Sequence, residues 1–292
     1  MNNDKSISRR AALRNTALMG AGAALGAAAL PARLEAGPAK ADVLAVIGDR
    51  WHSFDFLRTA FTRTLVKEGG ATVEFAPAPS DFDAARLAGH KILLMLCDGL
   101  AFPGGYTTTY PFMEPDKVKI VSDPPVEGLD ETAVNWLAPA QGKVIREFVE
   151  GGGSAWFFHN ANYISGGNID FRHVEGALFT GHTGFRPYKM KIVADHPITR
   201  GVKDFVVTEE QHYLIYDKDP KTVLVRSVNE EGLTYKTEKY GDQGATCEAC
   251  WAYDLGKGRV CYMAPGHTIP GLWNPEYIKL QKNALRWLLR KS

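Results

Sequence analysis

Hydrophobic and polar positions along this chain change period several times, and each change marks an element. Val43-Leu44-Ala45-Val46-Ile47 is an unbroken apolar run that ends in Gly48, the pattern of a strand covered on both faces. Ser53 offers an N-cap, and Phe54, Leu57, Phe61 and Leu65 then recur at helical spacing until Gly69-Gly70 stops them. Short strands are predicted over 72–75 and, strongly buried, over 91–96. From 98 to 130 the periodicity dissolves into Pro, Gly, Thr and aromatics, which predicts a functional loop, an ordered lid. Helical spacing returns at Val144, Ile145, Phe148 and Val149, closes at Gly151-Gly152-Gly153, and gives way to a strand over 154–158. From Arg186 the pattern is β-rich: strands over 188–193, 205–208 and 222–228, then a hairpin of 250–255 and 259–263 around Gly256-Lys257-Gly258. A last helix opens at Asn274-Pro275 and buries Ile278, Leu285, Trp287 and Leu288. Strands alternating with helices, then a β-rich half, with no repeat and no linker, predict one α/β domain.

Composition narrows the class without naming a function. The 292 residues are 45% hydrophobic and 23% charged, with 34 basic against 33 acidic side chains. Collagenous, low-complexity and disordered chains are excluded, and the near-zero balance argues against a nucleic-acid binder. The balance is uneven, however. Six of the basic and two of the acidic side chains lie in residues 1–41, leaving 28 against 31, a formal charge of −3, for residues 42–292. That first segment carries Arg9-Arg10 before a Gly/Ala-rich apolar stretch from Thr16 to Leu30, and it resembles a bacterial twin-arginine signal peptide. The stretch falls short of the ~20 apolar residues of a membrane span. Cleavage is expected after Ala41, with Ala27 to Ala29 as the alternative, so the expected product is periplasmic, without a stable membrane span. In that compartment Cys247-Glu248-Ala249-Cys250 reads as a local disulfide or two unrelated thiols, and Cys97 and Cys261 as core residues.

Candidate chemistry sits where strands end. In an open α/β sheet ligands bind beyond the carboxyl ends of the strands, and three such ends are polar: Asp49-Arg50-Trp51-His52, Cys97-Asp98-Gly99 and His159-Asn160-Ala161-Asn162. Further clusters are Gly181-His182, Glu209-Glu210-Gln211-His212-Tyr213 and Gly266-His267, where glycine lets backbone pass close beneath an imidazole. Asp195-His196-Pro197 reads as a turn.

Taken in order, Gly151-Gly152-Gly153 before the strand ending in His159, Gly181-His182, His196-Pro197-Ile198-Thr199-Arg200-Gly201, Glu209-Glu210 with Tyr213, and Trp251 through Gly266-His267 to Trp273 resemble the ThuA-like family, named for trehalose utilisation, over nearly all of 42–290. The resemblance implies a flavodoxin-like sheet of the class I glutamine amidotransferase type, in which a nucleophilic Cys follows a strand on a sharp turn. Here His159 stands in that position, so the chain is not expected to be a glutaminase. The family implies a role in carbohydrate metabolism, on a sugar or keto-sugar supplied by a sugar oxidoreductase. On that reading Glu210 or His159 is a base, His182 and His267 are acid, electrophile or metal ligands, and Asp49, His52, Asn160 and Asp98 bind substrate. Trp51, Tyr106, Tyr110 and Trp273 are candidate stacking surfaces. The alternatives are a carbohydrate-binding or partner protein without catalysis, and a zinc-dependent hydrolase built from at least three of His52, His159, His182, Glu210, His212 and His267.

Overall fold

The computed structural model describes residues 40–79, 83–106, 122–128 and 130–291. The twin-arginine segment up to residue 39 and Tyr110 lie outside the described residues, as does 107–121 of the expected lid. Among the described residues no helix is long and apolar enough to cross a membrane.

The elements run β1 (Val43–Ile47), α1 (Phe54–Phe61), β2 (Val73–Pro77), α2 (Ala84–Leu87), β3 (Ile92–Leu96), β4 (Leu100–Ala101), β5 (Val134–Asn135), α3 (Pro139–Glu150), β6 (Ser154–Phe158), α4 (Ile169–Glu175), β7 (Ala177–Ile192), β8 (Phe205–Tyr216), β9 (Val223–Val228), β10 (Lys236–Thr237), β11 (Gly241–Asp242), β12 (Thr246–Leu255), β13 (Gly258–Met263), α5 (Ile269–Leu272) and α6 (Pro275–Leu288). A nine-stranded sheet in the order β2-β1-β3-β6-β13-β12-β9-β7-β8 organises them. Its first five strands are mutually parallel and the remaining neighbours antiparallel. The α/β class and the β-rich carboxyl-terminal half are as the hydrophobic pattern predicts. Helices α1 and α6 pack on one face of the parallel half and α3 with α4 on the other, which is why β1, β3 and β6 carry unbroken buried runs.

Register decides where the chemistry gathers. Ile47 lies level with Leu96, and Met95 with Phe157. The residues that follow β1, β3 and β6, namely Asp49, Asp98 and His159, therefore emerge side by side at one edge.

Two expectations are corrected, and the cysteine reading is narrowed. The strand expected over 188–193 begins at Ala177, and the one expected over 205–208 runs to Tyr216, because the two form one long antiparallel pair. Their polar and glycine-rich stretches have little strand propensity alone, and tertiary pairing imposes the conformation. The segment after His159, not anticipated as regular, is a 3-10 helix over His159–Gly166 followed by α4. All four cysteines are free and buried. Cys247 and Cys250 sit three apart on strand β12 as separate buried thiols, the second of the two readings their spacing allowed. The turn expected at 195–197 lies over 196–199, closed by the Thr199 amide donating to the His196 carbonyl with Pro197 at its second position.

Candidate functional site

His159 is one of two non-glycine residues with positive φ among the described residues, at +50°. The left-handed conformation costs an L-residue about 1–2 kcal/mol, and here three contacts hold it. Its ring Nδ1 donates to the Ala264 carbonyl at 2.9 Å, the Tyr262 hydroxyl donates to its carbonyl at 2.8 Å, and Gly266 passes so close that a Cβ there would lie 2.5 Å from the His159 Cβ. Asn162 in turn donates to the Tyr262 hydroxyl at 3.0 Å. The strained turn that resembles the nucleophile position of the amidotransferase sheet thus carries an imidazole with no exposed surface.

Around it lies a cavity of about 390 Å³, within the ~300–1,000 Å³ range of small-molecule sites. Trp51, His52, Asp98, His159, Asn160, His182, Glu210 and His267 all line it. Glu210 is its focus. One carboxylate oxygen lies 3.2 Å from His267 Nδ1, 3.5 Å from His159 Nε2, 3.6 Å from His182 Nδ1 and 3.9 Å from His212 Nε2. Strand alternation explains the placement: Glu210 and His212 share one face of β8, while Glu209 points to the other. There Glu209 accepts from the Thr268 hydroxyl and amide and from the His267 amide, at 2.6, 2.8 and 3.1 Å, so it anchors the loop that presents His267.

A second set of bonds fixes the opposite wall. Asp49 accepts from His52 Nδ1 at 2.8 Å, from Asn160 Nδ2 at 2.7 Å, and from the backbone amides of Trp51, His52 and Asp98. His52 Nε2 then meets His267 Nδ1 at 3.1 Å. Asp49, His52, His267 and Glu210 thus make a run of contacts along the cavity wall, His267 Nδ1 meeting both His52 and Glu210.

The electrostatics follow from burial and neighbours. Burial pushes the Asp98 carboxyl up, with the nearby Asp49 carboxylate adding to it, to about 7. Burial would raise Asp49 as well, but the adjacent His52 ring and the bonds it accepts bring it below its ordinary value. Burial raises Glu210 too, and hydrogen bonding from the imidazoles around it, His267 the nearest at 3.2 Å, outweighs that and holds it far below the usual carboxylate range. Desolvation lowers His159, and lowers His212 strongly with a further push from His159, so both rings are neutral at neutral pH.

Tautomers bear on metal binding. Because His159 Nδ1–H donates to a carbonyl, its Nε2 carries a lone pair that faces the Glu210 carboxylate, and Nε2 is buried without a hydrogen-bond partner among the described residues. Two acceptors facing each other favour a cation between them. His52, His159 and His267 offer ligand atoms within 4.8 Å of one another, as do His159, Glu210 and His212. Imidazole and carboxylate donors suit zinc, and the Asp49 carboxylate behind His52 is the supporting contact such ligands ordinarily have. The residues present fit a divalent metal.

Two assignments change. Trp273, expected to stack on substrate, lies outside this cavity: its indole N–H donates to the Ala60 carbonyl at 3.3 Å and its face carries the Arg63 guanidinium. The helix α5 after His267 turns it away from the strand ends. Conversely, Tyr163, Phe179 and His212 line the cavity. His212 was legible only as a metal-ligand alternative, although its two-residue spacing from Glu210 is the strand signal that places them together. Tyr163 and Phe179 had no such signal.

No curated protein matches the chain. Among solved structures, a putative ThuA-like protein of Bacteroides uniformis shares 15% identity over 88% of this chain and 96% of that one, with a TM-score of 0.53. A cytoplasmic protein of Salmonella typhimurium shares 14% over 84% and 99%, at 0.52. A β-galactosidase of Bacillus circulans shares 10% over 87% of this chain but 32% of that one, at 0.52. Identities this low establish the α/β fold, of the glutamine amidotransferase-like kind, and no activity. The family described as ThuA, trehalose utilisation, matches residues 124–288, more than half of the sequence and the stretch that carries His159, His182, Glu210, His212 and His267, and the chain belongs to that family.

Proposed function

We propose that this protein is an enzyme of carbohydrate metabolism that acts on a keto-sugar by acid/base chemistry, exported by the twin-arginine route to the periplasm. The observation that carries the chemistry is one carboxylate oxygen of Glu210 with four imidazole nitrogens between 3.2 and 3.9 Å of it, at a cavity sized for a small molecule. A ketone acidifies the neighbouring C–H. Glu210, ionised and partly open to the cavity, takes that proton: the C–H bond breaks, an O–H bond forms on the carboxylate, and the electron pair moves to the former carbonyl oxygen as an enediolate. His182 and His267 line the same cavity and serve there as acid or metal ligand. Return of the proton to the neighbouring carbon, with the hydroxyl proton passing from one oxygen to the other, completes an isomerisation, and loss of a β-substituent, which leaves with its bonding electron pair and is protonated, completes an elimination. His159, without exposed surface, serves as a positioning residue or metal ligand rather than as the base.

A divalent metal such as zinc, held by His159 with His52 and His267 or with Glu210 and His212, would supply Lewis-acid stabilisation of the oxyanion. The facing acceptors of His159 and Glu210 support that part of the reading. A keto-sugar implies a sugar oxidoreductase upstream as the partner activity. Thiol chemistry is not part of it, since none of the four buried cysteines lines the cavity.

Glu210→Gln keeps shape and hydrogen-bonding capacity but not the base. Turnover of a keto-glycoside should fall by at least about 10²-fold, the contribution of general acid–base catalysis, with the melting curve unchanged. Wild-type turnover in this variant refutes the assignment. Elemental analysis of protein purified without a histidine tag tests the metal.

A further inference from the structure

An isomerisation of the kind proposed asks for more than Glu210 can supply. As the C–H proton moves, one sugar oxygen must gain a proton and its neighbour must lose one, so the cavity needs a second group that gives a proton and takes one back. In their neutral forms His159 and His182 do not meet that need: each spends Nδ1–H on a backbone carbonyl, of Ala264 at 2.9 Å and of Thr183 at 2.8 Å, which leaves Nε2 an acceptor. His267 Nδ1 is already shared between His52 and Glu210.

Asp98 is placed differently. It follows β3, lines the same cavity and is 5% exposed. Its amide donates to the Asp49 carboxylate at 3.1 Å, so two carboxyl-bearing residues meet at the strand ends. Their surroundings set them apart. Asp49 accepts from five N–H groups, the amides of Trp51, His52 and Asp98 together with His52 Nδ1 and Asn160 Nδ2. Among the described residues Asp98 accepts from one, the Leu100 amide at 2.8 Å. The charge therefore rests on Asp49, and a second buried carboxylate beside it is unfavourable, so Asp98 holds its proton up to about 7. The other titratable groups around it are the buried Cys97 thiol, which burial pushes well above its ordinary value, and the cavity residues His52, His159, His182, Glu210, His212 and His267.

We propose that Asp98 is a catalytic residue, the acid that carries the hydroxyl proton from one substrate oxygen to the other while Glu210 carries the C–H proton. The proposal rests on the keto-sugar reading of the cavity. In the first half Glu210 takes the C–H proton, the C–H electron pair forms a C=C bond, and the carbonyl oxygen takes the Asp98 proton, which gives an enediol. In the second half Glu210 returns its proton to the former carbonyl carbon, and the Asp98 carboxylate takes the proton of the neighbouring hydroxyl, whose oxygen becomes the new carbonyl. Both carboxyl groups end as they began. His182 and His267 then keep the ligand role.

The test is steady-state turnover of a keto-glycoside across about pH 5 to 9 by wild type, Asp98→Asn and Asp98→Glu, beside carbon-13 NMR titration of wild type labelled at its aspartate carboxyls. The acid must hold its proton, so wild-type kcat/KM should fall as pH rises through about 7, and one aspartate should titrate there. Asp98→Asn should lose that limb and at least about 10²-fold in kcat, with the melting curve unchanged. Asp98→Glu should keep the limb at a displaced midpoint and recover part of the rate. A limb that persists in Asp98→Asn, or aspartates that all titrate in their ordinary range, overturns the assignment and leaves Glu210 and the sugar reading standing. Wild type that leaves the keto-glycoside unchanged overturns both. If Asp98→Asn melts early, the NMR titration and the Asp98→Glu midpoint decide, and a midpoint identical to wild type refutes the role.

Discussion

Glu175 gives the sharpest quantitative test of how this fold treats buried charge. It ends α4, has no exposed surface, and uses one carboxyl oxygen to accept from the Ala177 amide at 2.9 Å and the Ser165 hydroxyl at 3.2 Å, while the other oxygen is buried with no hydrogen-bond partner among the described residues. Burial pushes its carboxyl from 4.5 up to about 8, so the folded protein keeps it neutral at pH 7. The unfolded chain releases that proton near 4.5, so between about 4.5 and 8 the native state binds more protons and stability falls as pH rises. The penalty is absent below the unfolded value. It reaches about 3 kcal/mol at pH 7 and about 5 kcal/mol above pH 8, at 1.36 kcal/mol per pH unit. Glu175→Gln mimics the neutral acid and carries no titration. Urea unfolding of both proteins at pH 5, 6, 7 and 8 should show the variant gaining on wild type by about 1.4 kcal/mol per pH unit, with any fixed cost of the unpaired amide appearing as a constant offset. A difference that stays flat across this range would refute the reasoning.

Further outcomes follow from the cavity. Gly266→Ala should lower both melting temperature and turnover, because its Cβ would sit 2.5 Å from that of His159 and dislodge the strained ring; unchanged values in circular dichroism and kinetics would show that the loop yields freely. Asp49→Asn removes the carboxylate that orients His52 and should reduce turnover or metal retention by about 10–100-fold with a smaller effect on folding, read by steady-state kinetics and metal titration. His159 and His212 are held neutral below the ordinary imidazole range, so the unfolded chain binds more protons as pH drops past about 6.5 and stability declines in acid. His212→Gln should flatten that acid limb in thermal melts between pH 6.5 and 4.5.

Most of the parallel half was legible in the sequence because β1, β3 and β6 are buried on both faces and read as continuous apolar runs between glycines. The clustering of Asp49, His52, Asp98, His159 and Asn160 was legible too, since polar residues directly after such strands have one edge to occupy. The antiparallel half was harder to read. The polar run from Thr208 to His212 resembles a loop, and its strand conformation exists only because β7 pairs with it over its length. Trp273 illustrates the opposite limit, a conspicuous aromatic near a site motif in sequence that one short helix carries to a different surface.

By itself, then, the sequence determined the element types of the parallel sheet, the residue kinds available for chemistry and the family, because those depend on local period and order along the chain. Only the tertiary structure decided that Glu210 is the meeting point of four imidazoles, that Glu209 beside it is an anchor, and that His159 presents a lone pair to a carboxylate. Those facts depend on strand register, on the left-handed turn at His159 and on the close passage of Gly266. Each is set by contacts between residues far apart in the chain, for which no local pattern exists.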